Sequence, residues 1–271
     1  MTPPGTTNDG WLIELATEVT DDGRATDDGR VRRAARSVWK LLGLLGLLIR
    51  AAMSAPGKGS PAATRAAWLQ RWSQRLLALL EVRIRVDGVP ASRGLLVANH
   101  LGYLDVLVLA AVQPAIFVAK EEVGRWPVVG RLTHGAGSLS LDRSRRGDVA
   151  RVNTGLATAL AGGSLVVIFP EGTSSDGRSV LPFWSSLLQP AIEQGAPVIP
   201  AALSYALPGG SVADEVCYWR DMTFAAHVLN LLGRRGVRVR VSYGCAEAPG
   251  NNRKELARTL RNRVVALRRP A

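Results

Sequence analysis

Five short apolar runs constrain this chain more than any other feature: Leu95–Ala98, Ile116–Ala119, Ser138–Leu141, Leu165–Phe169 and Val198–Leu203. Most show no polar alternation and all are short for a helix, which is the pattern of strands buried on both faces. Helical stretches separate them, so the fold class is α/β, with a sheet covered by helices on both sides. Val82–Val86 and Val237–Val241 instead alternate with Arg83, Arg85, Arg238 and Arg240, and read as edge strands. The total is about seven strands. A length of 271 residues with 47% hydrophobic content is enough for one large core.

Charge divides the chain. The formal net charge is +12, yet residues 1–30 hold seven acidic against two basic residues, so the rest carries +17. Residues 1–30 read Asp-Asp-Gly-Arg twice and have the composition of a disordered acidic tail, with Trp11–Ala16 as a short sticky patch. There is no secretory signal, because the basic stretch and the apolar run begin only after residue 30. The positive body asks for an anionic partner: nucleic acid, anionic lipid or an acidic protein. Cys217 and Cys245 form neither a CxxC pair nor a cluster with the three histidines, so no metal site and no disulfide framework is expected.

Residues 31–80 have a character of their own. Arg32, Arg33, Arg36 and Lys40 precede the apolar run Leu41–Ile49, which Arg50 interrupts. A spanning helix needs about 20 apolar residues, so this run suits an interfacial segment. After a turn at 54–61, Leu69, Trp72, Leu76 and Leu80 recur at helical spacing, with Trp68 and Arg65, Arg71 and Arg75 around them. Gly57-Lys58 in the turn is not a phosphate loop, since it follows a helix and lacks Ser or Thr after the lysine. Tryptophan with arginine suits a headgroup layer, so we expect a helical hairpin dipped into one leaflet and held there by the basic cluster. The alternative is that both helices simply pack on the globular core.

Chemistry concentrates where two buried runs end. Leu95–Ala98 leads into Asn99-His100, and Asp105 follows five residues after the histidine. A neutral imidazole takes a proton well near pH 7, and a carboxylate on its other nitrogen fixes the tautomer. An offset of five does not align on a regular helix, so the turn must be irregular and Gly102 supplies its freedom. Taken alone, the pair could equally be a strand-end histidine beside a helix-capping aspartate. Val166–Phe169 ends in Pro170-Glu171-Gly172-Thr173-Ser174, again at the carboxyl end of a strand, where open α/β sheets bind ligands. Between them Gly137–Leu141 runs into Asp142-Arg143, and Lys120 closes the preceding strand. Arg143 is either an anion-binding fork or one more residue of the Arg143–Arg146 charge run. Lys120 either helps it or pairs with Glu121 or Glu122.

In this order, His100 with Asp105, Gly137–Arg143, Phe169–Thr173 and Val198-Ile199-Pro200 resemble the glycerophospholipid acyltransferases, of the 1-acyl-sn-glycerol-3-phosphate acyltransferase family, over roughly residues 80–245. The resemblance implies a mixed, mostly parallel sheet, preceded by the membrane hairpin, with an acyltransferase domain over 81–271. Many phosphatidate-forming members have arginine after Glu-Gly-Thr, where this chain has Ser174. Thr173–Gly177, Leu181-Pro182-Phe183 and Trp219–Met222 through His227 look similar to the branch that acylates lyso-ornithine lipid.

The resemblance implies that His100 takes the proton of an acceptor hydroxyl as it attacks an acyl thioester, with Asp105 orienting the ring. Arg143 and Lys120 would hold the acceptor's anionic group, while Glu171, Gly172 and Thr173 shape the acceptor side. Glu171 could instead hold its loop by accepting backbone N–H bonds. No Gly-x-Ser-x-Gly elbow is present, which favours direct transfer over an acyl-enzyme. No cofactor is implied; acyl-CoA or acyl carrier protein serves as co-substrate. The partners are then a lysolipid acceptor and an anionic bilayer surface, with no nucleic acid, at the cytoplasmic face of the cell membrane as a peripheral or monotopic protein. Two competing classes are a non-catalytic basic protein that binds membrane or nucleic acid, and a lipid or thioester hydrolase in which water replaces the alcohol.

Overall fold

A computed structural model describes residues 13–15, 30–57, 59–120, 135–141 and 147–271. In chain order the elements are β1 (Ile13–Leu15), α1 (Arg30–Met53), α2 (Ala62–Leu80), β2 (Arg83–Asp87), β3 (Gly94–Ala98), α3 (Tyr103–Val112), β4 (Ile116–Lys120), β5 (Leu139–Leu141), α4 (Asp148–Ala161), β6 (Leu165–Ile168), α5 (Gln189–Glu193), β7 (Val198–Ala206), α6 (Val212–Glu215), α7 (Phe224–Leu232), β8 (Arg238–Tyr243) and α8 (Arg253–Leu267). The strands form one mixed sheet in the order β1-β2-β8-β7-β3-β6-β4-β5. Strands β3 to β7 are parallel, β8 runs antiparallel to β7, and β2 and β1 follow β8 in parallel.

The sheet has eight strands rather than about seven because three residues of the acidic N-terminal segment, Ile13–Leu15, pair with β2. That pairing also corrects the edge assignment. Both β2 and β8 lie inside the sheet, Arg83 opposite Arg238 and Arg85 opposite Arg240. Their alternation marks two unlike sheet faces, not an open edge: the arginines share one, and Ile84, Val86, Val239 and Val241 enter the core on the other.

Each sheet face builds its own core. On one face, Leu96, Ala98, Phe117 and Val167 meet α3 through Leu104, Val108 and Leu109 and α7 through Leu231 and Leu232. On the other, Leu95, Val97, Val166 and Ile168 meet Val152 and Leu156 of α4, Ala191 of α5 and Leu260 of α8. The chain leaves β3 along the first face toward β4, and leaves β6 along the second toward β7. Neighbouring strands that depart to opposite faces open a crevice above their carboxyl ends, so β3 and β6 form the switch point of this sheet.

Helices α1 and α2 do form a hairpin, but its polar and apolar faces are arranged differently from the expectation. Trp68 is 1% exposed and Trp72 7%; they pack with Ala51 and Ala136, and the Trp68 indole donates to Ser54 Oγ at 3.2 Å. They are core side chains and not headgroup anchors. The basic cluster also points inward. Arg33 donates to Asn230 Oδ1, Arg36 to Gly233 O at 3.1 Å and Lys40 to Arg234 O at 3.3 Å, all at the carboxyl end of α7, where helix carbonyls attract cations. Lys40 also meets Glu81 at 3.4 Å, and burial lowers its pKa despite that partner. Between the exposed Arg32 and Arg50, α1 shows solvent the apolar side chains of Val38, Trp39, Leu42, Leu45 and Ile49, with Met53 beyond them. Among the described residues no helix is long and apolar enough to cross a membrane.

Trp68→Ala should therefore destabilise the fold by about 3–5 kcal/mol through an internal cavity. Equilibrium denaturation checks this; a surface tryptophan would cost under about 1 kcal/mol.

Candidate active site

The site begins where β3 runs out. Asn99 is buried, and its side-chain amide exchanges two hydrogen bonds with the backbone of Leu203 on β7, Nδ2 to O at 3.0 Å and N to Oδ1 at 2.8 Å. It thus prolongs the sheet ladder by one side chain and lets the main chain turn away at His100. Asp105, in the first turn of α3, folds back across that turn. Its Oδ2 accepts from Leu101 N at 2.5 Å and Gly102 N at 2.9 Å, and lies 2.8 Å from His100 Nδ1. Its Oδ1 accepts from Tyr205 Oη at 2.9 Å. Gly102 is demanded by close packing, since a Cβ there would lie 2.8 Å from Tyr218 N.

The Asp105 side chain is 0% exposed and that of His100 is 23% exposed. The carboxylate is therefore sealed while the imidazole reaches the crevice. Nδ1 is engaged, and Nε2 has no hydrogen-bond partner among the described residues. Phe169, the last residue before Pro170, stacks on the imidazole at 4.3 Å between centroids and 16° between planes. A ring held on one nitrogen and stacked on one face can accept a proton only through the other nitrogen.

The second motif comes from β6. Glu171 is buried, and its carboxylate accepts from His100 N at 2.9 Å and from Leu181 N at 3.0 Å. Of the two readings left open by the sequence, this geometry is the loop-holding one. Burial raises the Glu171 pKa, partly opposed by those two amide bonds. Gly172 takes a left-handed φ of 78° and closes the turn onto Phe169 O at 3.2 Å. Thr173 is exposed, with its hydroxyl 3.5 Å from Ser174 O. Ser175 N donates to His100 O at 3.0 Å, which ties this loop to the first motif a second time.

The structure brings together His100, Asp105, Glu171, Gly172 and Thr173. Arg143 lies outside the described residues, as does His134, and for Lys120 only the backbone position, at the end of β4 beside Leu141, is described. His227 is buried, its Nδ1 3.0 Å from Tyr103 Oη. Asn99, Phe169, Ser175 and Tyr205 had no assigned role in the sequence reading. The first three adjoin the motifs and could have been found by proximity. Tyr205 lies 100 residues from Asp105 in the chain and left no local signal. Among the described residues, no group of three or more His, Cys, Asp or Glu could hold a metal ion.

The fold and this geometry place the chain among α/β proteins that carry a histidine–aspartate pair at the carboxyl ends of parallel strands. Comparison with known proteins then gives the family: the chain belongs to the Acyltransferase family, which it matches over residues 81–204, and is an acyltransferase. It is similar to the lyso-ornithine lipid O-acyltransferase of Pseudomonas aeruginosa PAO1, 36% identical over 244 residues that cover 87% of this chain and 93% of that one. It is also similar to the 1-acyl-sn-glycerol-3-phosphate acyltransferase of Neisseria meningitidis serogroup B, 34% identical over 174 residues, 63% of this chain and 68% of that one. The crystal structure of the 1-acyl-sn-glycerophosphate acyltransferase PlsC from Thermotoga maritima shares the fold with a TM-score of 0.60, at 19% identity over 88% of this chain and 97% of that one.

Glu171 gives a pH test. Its folded pKa lies above the ordinary carboxylate value of 4.5, so the stability linked to it is present in full below that value and falls as the pH rises through the raised one. Glu171→Gln should flatten this part of the curve of denaturation midpoint against pH, measured between about pH 4 and 8. An unchanged slope would mean the carboxyl does not titrate abnormally.

Proposed function

We propose that the protein moves a fatty acyl group from an acyl thioester, acyl-CoA or acyl carrier protein, to the free hydroxyl of a lysolipid, 1-acyl-sn-glycerol-3-phosphate giving phosphatidate. The observation that carries the reading is an imidazole whose Nδ1 is fixed by a buried aspartate and whose Nε2 has no hydrogen-bond partner among the described residues. In this mechanism Nε2 takes the hydroxyl proton as the oxygen attacks the thioester carbonyl. Asp105 stabilises the imidazolium, the C–S bond breaks, and the proton passes to the departing thiolate. Arg143, with Lys120, holds the anionic group of the acceptor. Glu171, Gly172 and Thr173 shape the acceptor side, Glu171 by fixing the backbone on both flanks of the crevice.

A second acceptor, lyso-ornithine lipid, is favoured by Ser174 where an arginine would offer a phosphate ligand, and by the extent of the match to the Pseudomonas enzyme. Lipid mass spectrometry on cells with and without the protein separates the two by the product that disappears.

The protein works at the cytoplasmic face of the membrane as a peripheral or monotopic enzyme. The exposed stripe on α1 supports this: Leu42, Leu45 and Ile49 recur at three and four residues and are 60%, 49% and 59% exposed.

His100→Ala should lower transfer by about a thousandfold without altering the circular dichroism spectrum; retained turnover would remove the base assignment. Replacing Leu42, Leu45 and Ile49 together with serine should cut binding to anionic vesicles by about a hundredfold or more, read by co-sedimentation. Undiminished sedimentation would show that α1 does not enter the bilayer.

A further inference from the structure

The turn between α6 and α7 holds an arginine with an unusual posture. Among the described non-glycine residues only Glu81 and Arg220 have a positive φ, at 58° and 52°. Glu81 is the residue that ends α2, its N–H on the carbonyls of Leu77 and Ala78, so its conformation belongs to the helix cap. Arg220 ends no helix. A left-handed backbone is costly for a branched chain with a Cβ, and it persists only where the surroundings impose it.

The surroundings of Arg220 are fixed, and its segment is tied to the turn that follows His100. Trp219 donates its indole N–H to Ala213 O at 2.9 Å, and the Arg220 guanidinium lies over that indole at 4.1 Å from the ring centroid. One residue earlier, Tyr218 N donates to Leu101 O at 2.8 Å, and Tyr218 packs against Gly102 within the His100–Asp105 turn. A guanidinium stacked by its face keeps its N–H fork free at the edge, the geometry that takes a carboxylate or phosphate with two bonds. Nothing fills that fork: Arg220 is exposed and has no carboxylate or carbonyl partner among the described residues. Other cations around the 177–181 segment are engaged. Arg178 pairs with Asp176 at 3.4 Å, Arg261 donates to Val180 O and Leu181 O, and Arg268 donates to Gly177 O and Arg178 O.

We propose that Arg220 is a binding residue for the anionic headgroup of the acceptor lysolipid, a phosphate or a carboxylate, at the mouth of the His100 crevice. The inference rests on the lysolipid reading above and adds the element that selects the headgroup. It gives a chain with Ser174 after Glu171-Gly172-Thr173 a guanidinium for the charged acceptor in addition to that of Arg143. The shared chemistry is a planar or tetrahedral oxyanion; glycerol phosphate and ornithine are its two sources.

The test uses the purified full-length chain and two acceptor pairs: lysophosphatidate against monoacylglycerol, and lyso-ornithine lipid against its methyl ester. The pair in which the wild type acylates the member that carries the oxyanion identifies the source. Arg220→Gln and Arg220→Gly should each raise KM for that acceptor about tenfold or more and shrink its advantage over the partner without the oxyanion equally, with Arg220→Lys between them and wild type. Glycine accepts the left-handed backbone without strain, so the Gly variant keeps the turn while removing the fork. A KM within about twofold of wild type in the Gln and Gly variants would overturn the proposal, as would recovery in Gly alone, which would assign the effect to the turn. If the wild type acylates neither pair, the lysolipid reading fails by itself. Calorimetric binding of short-chain lysophosphatidate and short-chain lyso-ornithine lipid then decides the site: tenfold weaker binding of either by Arg220→Gln, again about 1.4 kcal/mol, upholds it, and equal binding of both overturns it.

Discussion

The carboxylate of Asp105 is the constraint on which the rest of the site depends. It is sealed from solvent, and a buried carboxylate is tolerated only where its lone pairs are filled. Two of its donors are backbone amides of the turn, one is the imidazole and one is the hydroxyl of Tyr205. Satisfying that one group therefore fixes the path from β3 into α3, the rotamer of His100 and the position of β7 beside them. The bond that fixes the imidazole is also one that holds the sheet end together, so the proposed base and the local fold share one set of interactions.

Glu171 performs the complementary task from β6. Its two oxygens reach backbone amides on both flanks of the crevice, at His100 and at Leu181. Ser175 adds a backbone bond to His100 O. The loops of the switch point are thereby tied to one another and not left to pack separately, which suits a reaction whose rate depends on placement to within about 1 Å. Arg261 of α8 and Arg268, the residue just after it, fasten carbonyls of the 177–181 segment, so the crevice wall is braced from the far end of the chain.

The strands and the histidine–aspartate pair were legible in the sequence because each is a local signal. Buried runs announce themselves by composition, and a spacing of five between His100 and Asp105 can be read off directly. Partners set by tertiary packing were not legible. Tyr205 reaches Asp105 across strands, and nothing near it in the chain says so. The misread features share one cause: an amphipathic pattern reports that an element has two unlike faces, but not which face meets what. Alternating arginines on β2 and β8 look like edge strands, yet both strands lie inside the sheet. Tryptophans among arginines on α2 look like headgroup anchors, yet Trp68 and Trp72 are core.

The same ambiguity, resolved on α1, changes how the hairpin must work. Had Arg33, Arg36 and Lys40 faced outward, attraction to anionic lipid would have held the helix at the surface, and salt would have weakened it. They instead bind Asn230, Gly233 and Arg234 at the end of α7, where the helix dipole and free carbonyls compensate their burial. The charges fasten the hairpin to the protein and leave Leu42, Leu45 and Ile49 on its exposed side. If that stripe enters the bilayer, as proposed above, attachment would rest chiefly on burial of apolar area, which salt screens little. Hydrogen bonds join α1 to the end of α7, and the turn before α7 is tied to the His100 loop through Tyr218 N and Leu101 O, so the depth of α1 would then set the height of the crevice.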